Sequence, residues 1–114
     1  MNIQLNSKKG SINARVATTN FQKIRGHMFK LKVDPLFFEF NRESKFDSAV
    51  HMLFVFQPLD LIFINSAWKV VEIKQALPFF PYYAPREPAK YLIELPAGQG
   101  KNFEIGETIK YEYF

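Results

Sequence analysis

The stretch PLDLIFINSAWKVVEIK, Pro58 to Lys74, decides the fold. Residues 59–64 are apolar on both sides of the chain apart from Asp60, which is the pattern of a strand covered on both faces. Asn65-Ser66-Ala67-Trp68 then supplies a turn, and residues 69–74 return as a second strand, so the segment reads as a β-hairpin. Upstream, residues 50–56 are apolar on both faces as well and predict another central strand. Pro58 cannot donate to a ladder, so it marks a bend or bulge between the two runs.

Working outward, residues 2–6 alternate with Ile3 and Leu5 on one side, and residues 12–18 alternate through Ile12, Ala14 and Val16. Ser7-Lys8-Lys9-Gly10 joins them as a turn in which Gly10 can take a left-handed conformation. Thr18 or Thr19 can cap a short helix over residues 20–29, where Phe21, Ile24 and Met28 have helical spacing. Asp34-Pro35 breaks the chain, residues 36–40 form a compact apolar strand, and the polar residues 41–48 read as a loop. Residues 77–88 interleave Pro78, Pro81, Pro85 and Pro88 with Phe79, Phe80, Tyr82 and Tyr83, which predicts an extended loop of polyproline character. Residues 90–95 are strand-like, residues 96–100 a turn or short helical connection, and residues 108–113 close the chain with Ile109, Tyr111 and Tyr113 on one face. The sum is a mostly β domain of α+β type, a small curled sheet or half-barrel with one short N-terminal helix. No boundary is visible, so residues 1–114 read as a single domain.

Composition agrees. The 114 residues are 47% hydrophobic and 17% aromatic, enough to build a core and to exclude disorder as the main state. There is no cysteine, which excludes disulfides, thiolate catalysis, zinc ribbons and iron–sulfur clusters. Residues 1–10 are polar, with no apolar signal core, and the interrupted apolar run over residues 49–68 is unfit to span a bilayer. Both features suit the cytoplasm.

The net charge of +4 is unevenly placed. The first 33 residues hold seven basic side chains and no acid, whereas the remainder holds 8 basic residues and 11 acids. Lys23, Arg25, Lys30 and Lys32 would give the predicted helix region a basic face. That face is either a solvated surface or a docking site for nucleic acid, as in a basic accessory domain.

Several segments together resemble one family. Arg25-Gly26-His27-Met28-Phe29 is similar to a "GLM-R" segment, and Val50-His51-Met52 followed by Pro58-Leu59-Asp60-Leu61-Ile62-Phe63-Ile64 resembles a "WM-NT…PLDI-FID" core. Tyr91-Leu92-Ile93-Glu94-Leu95-Pro96-Ala97-Gly98 is similar to "YVLELPAG", and Gly106-Glu107-Thr108-Ile109 stands where "GD-V" is expected. These are segments of the UPF0127 or DUF192 family, and the likeness runs from about residue 15 to the C-terminus. The family's polar Asn-Thr pair is absent after Met52. The hairpin turns through Asn65-Ser66-Ala67-Trp68 where the family uses Asp or Gly. The resemblance implies a small β-rich fold, often a half-barrel with a cleft, and no particular reaction.

Asp60 is the sharpest chemical oddity, because it shares a strand face with Ile62 and Ile64. A carboxylate there is costly unless hydrogen-bonded or paired. Either it serves backbone amides freed by the Pro58 bend, or it lines a cleft as an acid or base. Glu94 is a solvent-facing strand position, or a partner for Arg25 or Arg86, or the second carboxylate of a small hydrolase-like enzyme. His27 and His51 lack the spacing of a metal site, and no motif calls for a cofactor. The aromatic loop, with Phe79, Phe80, Tyr82, Tyr83 and Arg86, either plugs one end of the sheet or stacks on a ligand. Its exposed rings could also join two copies of the chain. These residues predict a binding module for a small molecule or peptide, with a cleft lined by Asp60, Glu94, His51 and the aromatic loop.

Overall fold

The computed structural model describes residues 1–17, 33–45, 56–78 and 83–114. The predicted helix over residues 20–29, its basic face, the predicted strand over residues 50–56 up to Val55, and residues 79–82 lie outside them. Alternating apolar residues produce seven strands: β1 (Asn2–Ser7), β2 (Gly10–Val16), β3 (Leu36–Ser44), β4 (Leu59–Ile64), β5 (Val70–Ala76), β6 (Ala89–Pro96) and β7 (Lys110–Tyr113). A 3-10 turn, Gln99–Asn102, follows β6. The strands form one sheet in the order β5-β4-β6-β3-β2-β1-β7. All pairings are antiparallel except β2–β3, which is parallel.

Both predicted hairpins are present, and Gly10 takes φ 147° at the first. Two expectations are corrected. Residues 41–44, which their polarity predicts as loop, extend β3 through an irregularity between Glu39 and Ser44. The pairing of Ser44 with Ala89 of β6 carries the strand past the irregularity. The sheet is also open and does not close into a barrel. Its two ends approach each other at a seam, where Lys69 bridges Thr108, Val70 N donates to Glu107 O (2.9 Å), Gly106 N to Val70 O (2.8 Å) and Ile109 N to Trp68 O (2.8 Å).

Side chains alternate across each strand, so the register assigns every residue to a face. One face carries Ile3, Leu5, Ala14, Phe37, Ile62, Ile64, Ile93 and Leu95, packed with Val70, Phe103 and Ile109 as the inner core. The other carries Leu36, Phe38, Leu59, Leu61, Phe63 and Leu92, with Val33, Phe40 and Tyr83 packed against them. β4 is buried at all six positions, as a strand apolar on both faces must be. Each of its large side chains contributes roughly 1.5–3 kcal/mol by burial. Among the described residues, no helix is long and apolar enough to cross a membrane.

Candidate functional site

Asp60 does face inward with Ile62, but no cleft opens onto it. The residue is only 3% exposed. Its Oδ2 accepts hydrogen bonds from Gly98 N and Gly100 N, both at 2.8 Å, while Oδ1 has no hydrogen-bond partner. The amide reading therefore holds, with a different source of amides: they come from the turn after β6 and not from the Pro58 bend. Glycine is required at the turn, because Gly98 has φ 96° and a Cβ on Gly100 would lie 2.8 Å from Asp60 Oδ2. Asp60 latches the end of β6 to β4.

Glu94 is also buried, at 5% exposure, which corrects its reading as a solvent-facing position. It lies opposite Leu36 and Leu61, on the outer face, whereas Asp60 lies opposite Leu95, on the inner face. The sheet separates the two carboxyls, so they cannot flank one bond of a substrate. The paired-carboxylate hydrolase is overturned by register alone.

His51, Phe79, Phe80 and Tyr82 lie outside the described residues, as do Lys23, Arg25, Lys30 and Lys32. Tyr83 packs against the outer core, and its hydroxyl accepts from Leu77 N at 2.9 Å, which is a plugging role. Arg86 is exposed and sits beside Glu72 Oε1, with its amide 3.2 Å and its Nε 3.9 Å away. Among the described residues, no group of three or more potential ligands is placed to hold a metal ion.

The structure gathers a different set of side chains at the open end of the inner face. Register puts Tyr91 opposite both Glu39 and Ile64, and Tyr111 and Tyr113 opposite Leu5 and Ile3. All of these therefore point inward. Trp68 enters from the β4–β5 turn and lies between two of the rings, 4.1 Å from Tyr91 and 3.9 Å from Tyr111 by centroid, both nearly parallel. Phe37 backs the stack 5.8 Å from Trp68, and Tyr113 meets Tyr111 edge-on at 77°. Trp68 holds this place at φ 60°, a left-handed conformation that costs about 1–2 kcal/mol for a residue with a Cβ. The turn is braced by Asn65 Oδ1, which accepts from Ala67 N and Lys69 N, and by Glu43, which accepts from Ser66 N at 2.7 Å. That last bond holds the Glu43 carboxyl below its ordinary range.

Beside the stack lies a cavity of about 580 Å³, lined in part by Val16, Ala17, Glu39, Asn41, Lys90 and Tyr113. The Glu39 side chain is 51% exposed; that of Lys90 is 20% exposed, with Nζ bonded to Phe40 O and 3.7 Å from Glu39 Oε2. Burial pushes the Tyr91 and Tyr113 phenols up, and the charge of Glu39 pushes both further the same way. Sequence alternation had already placed Tyr111 and Tyr113 on one face. It carried no sign that Trp68 would cross the seam to stack on them.

A family model, DUF192 (Uncharacterized ACR, COG1430), matches residues 2–111. The chain belongs to this family. It is 36% identical over 114 residues to a UPF0127 protein of Thermococcus sibiricus, covering 95% of this chain and 73% of that one. A UPF0127 protein of Pyrococcus furiosus is 32% identical over 112 residues, covering 94% and 96%. Among solved structures, a protein of unknown function from Novosphingobium aromaticivorans superposes with a TM-score of 0.81 at 21% identity, over 99% of this chain and 84% of that one. A putative transcription regulator from Sinorhizobium meliloti gives 0.78 at 24%, over 97% and 91%. The solved structures share this chain's fold, and the DUF192 family's function is uncharacterised. These likenesses also give the family's quoted motifs a structural reading. The Pro58–Ile64 and Tyr91–Gly98 segments lie side by side as β4 and β6, and Asp60 ties the end of one to the turn of the other.

Proposed function

We propose that this DUF192 chain is a single-domain binding module whose ligand sits in the aromatic mouth formed by Trp68, Tyr91, Tyr111 and Tyr113 beside Glu39. The observation that carries this reading is the cavity of about 580 Å³ lined by Glu39, Phe40 and Tyr113, which adjoins the stack of Trp68, Tyr91 and Tyr111 through the edge contact of Tyr113 with Tyr111. Its size lies in the range of small-ligand sites, and its lining combines aromatic surface with a few polar groups. Trp68 supports it further, since strained backbone tends to be kept where a side chain must be held in one place. In this reading the module works in the cytoplasm, the compartment a cysteine-free chain suits, and needs no chemical step.

Trp68 is the sole tryptophan, so the mouth carries its own fluorophore. Titration of the full chain with maltotriose, AMP and a short arginine-containing peptide is expected to change Trp68 emission saturably for one class. Tyr113→Ala should weaken that response several-fold. A panel that leaves the emission unchanged, or a response indifferent to Tyr113→Ala, rejects the mouth as the site.

A further inference from the structure

The main chain of β7 carries information that its side chains do not. Asn2 and Phe114 exchange two hydrogen bonds, each 2.9 Å, so they form a hydrogen-bonded pair of the β1–β7 ladder. Antiparallel pairs alternate, so Tyr113 opposite Ile3, and Tyr111 opposite Leu5, turn their N–H and C=O groups away from β1. The same parity puts Ile109 N on the outer side, where it donates to Trp68 O. The outer ladder of β7 thus begins at Ile109 and has two further rungs, at Tyr111 and Tyr113. Among the described residues no strand pairs with them, and all four residues of β7 are exposed.

Two donor–acceptor rungs about 6.8 Å apart match an extended polypeptide. A strand laid there would send alternate side chains to the same side as Tyr111 and Tyr113, into the mouth. Among the described residues Glu39 is the acid lining the cavity; Met1 and Lys90 line it too, Lys90 being mostly buried, bonded to Phe40 O and 3.7 Å from Glu39 Oε2. Burial raises the Tyr91 and Tyr113 phenols, and the charge of Glu39 pushes them the same way, so Glu39 lies within electrostatic reach of the rings. Aromatic faces and a carboxylate together favour a cationic side chain.

We propose that β7 accepts an extended peptide segment of a partner protein as an eighth strand, with a basic side chain of that segment seated among the rings against Glu39. This deepens the reading above and rests on it. The mode is strand addition, in which main-chain bonds supply affinity and alternate side chains supply selectivity.

The test uses the full chain and a capped pentapeptide of alternating valine and threonine around one central arginine. Trp68 emission gives affinity, and amide NMR shifts locate the contact. The arginine peptide should bind and move the Tyr111 and Tyr113 amides. Replacing its arginine by glutamate, N-methylating its pairing amides, or introducing Glu39→Gln should each weaken binding by about tenfold. The thermal melt of Glu39→Gln should fall only slightly, because that side chain is half exposed and its pair with Lys90 is long, at 3.7 Å. Equal binding of the N-methylated peptide, or equally tight binding of arginine amide alone, overturns strand addition and leaves the mouth as a small-ligand site. Equal binding of the glutamate peptide overturns the basic side chain. A response to maltotriose or AMP alone sinks this proposal and keeps the binding module, whereas silence from every probe sinks both. Peptide-free self-association that buries the Tyr111 and Tyr113 amides would assign the edge to a second copy and also overturn the proposal.

Discussion

Asp60 and Glu94 occupy adjacent strands, yet the sheet lies between their carboxyls: Asp60 faces Leu95 on the inner side, and Glu94 faces Leu61 on the outer side. Two buried acids that look like a catalytic pair in one dimension thus serve two separate layers. Asp60 in particular acts on backbone, accepting from Gly98 N and Gly100 N.

Asp60→Ala should destabilise the fold by about 2–4 kcal/mol. It removes both bonds to the Gly98–Gly100 turn and strands a buried amide at Gly100. Urea unfolding measures the loss. A cost below about 1 kcal/mol would mean that water replaces the carboxylate freely, contrary to a sealed latch.

Gly100→Ala should cost about 1–3 kcal/mol in the native chain, because its Cβ would meet Asp60 Oδ2 at 2.8 Å. The cost should shrink in part in the Asp60→Ala background, where Oδ2 and Cγ are gone and the residue 60 Cβ, 3.0 Å away, remains. A double-mutant cycle reads this directly, and strict additivity would show that the two sites do not touch.

Trp68→Ala and Trp68→Gly should both lower stability, with glycine the milder of the two by about 1 kcal/mol. Both lose the stacks on Tyr91 and Tyr111, but only alanine retains the penalty of φ 60°. Paired denaturation curves give the order, and a more stable alanine variant would place the strain elsewhere.

The Tyr91 and Tyr113 phenols should ionise above their ordinary value of 10.0 in a phenolate absorbance titration of the folded chain. The sign follows from linkage. A folded pKa raised above the unfolded one means the native state holds its proton longer, so this contribution is complete below pH 10 and fades as pH climbs through the folded values. Glu39→Gln should bring both phenols part of the way back, since its charge is the second cause of each shift. Unmoved phenols in that variant would remove Glu39 from the mouth.

Much of this was readable from local pattern. Period-two alternation marks Ile3 and Leu5, Ile62 and Ile64, and Tyr111 and Tyr113 as same-face sets, because neighbouring side chains on a strand must point opposite ways. The turn at Gly10 and the bounds of the β4–β5 hairpin were legible for the same reason, being interactions between residues close along the chain. Even the inward direction of Asp60 could be read from its neighbours.

Partners far apart along the chain were decided by tertiary structure alone. The amides that bond Asp60 Oδ2 stand 38 and 40 residues away, and the Trp68 ring meets Tyr91 and Tyr111 only because the ends of the sheet curl together at the seam. Alternation states which side of a strand a residue takes, but not which strand lies beside it or at what offset. Those depend on how the strands share one core, and that sharing enclosed Asp60 and gathered the aromatic rings around Trp68.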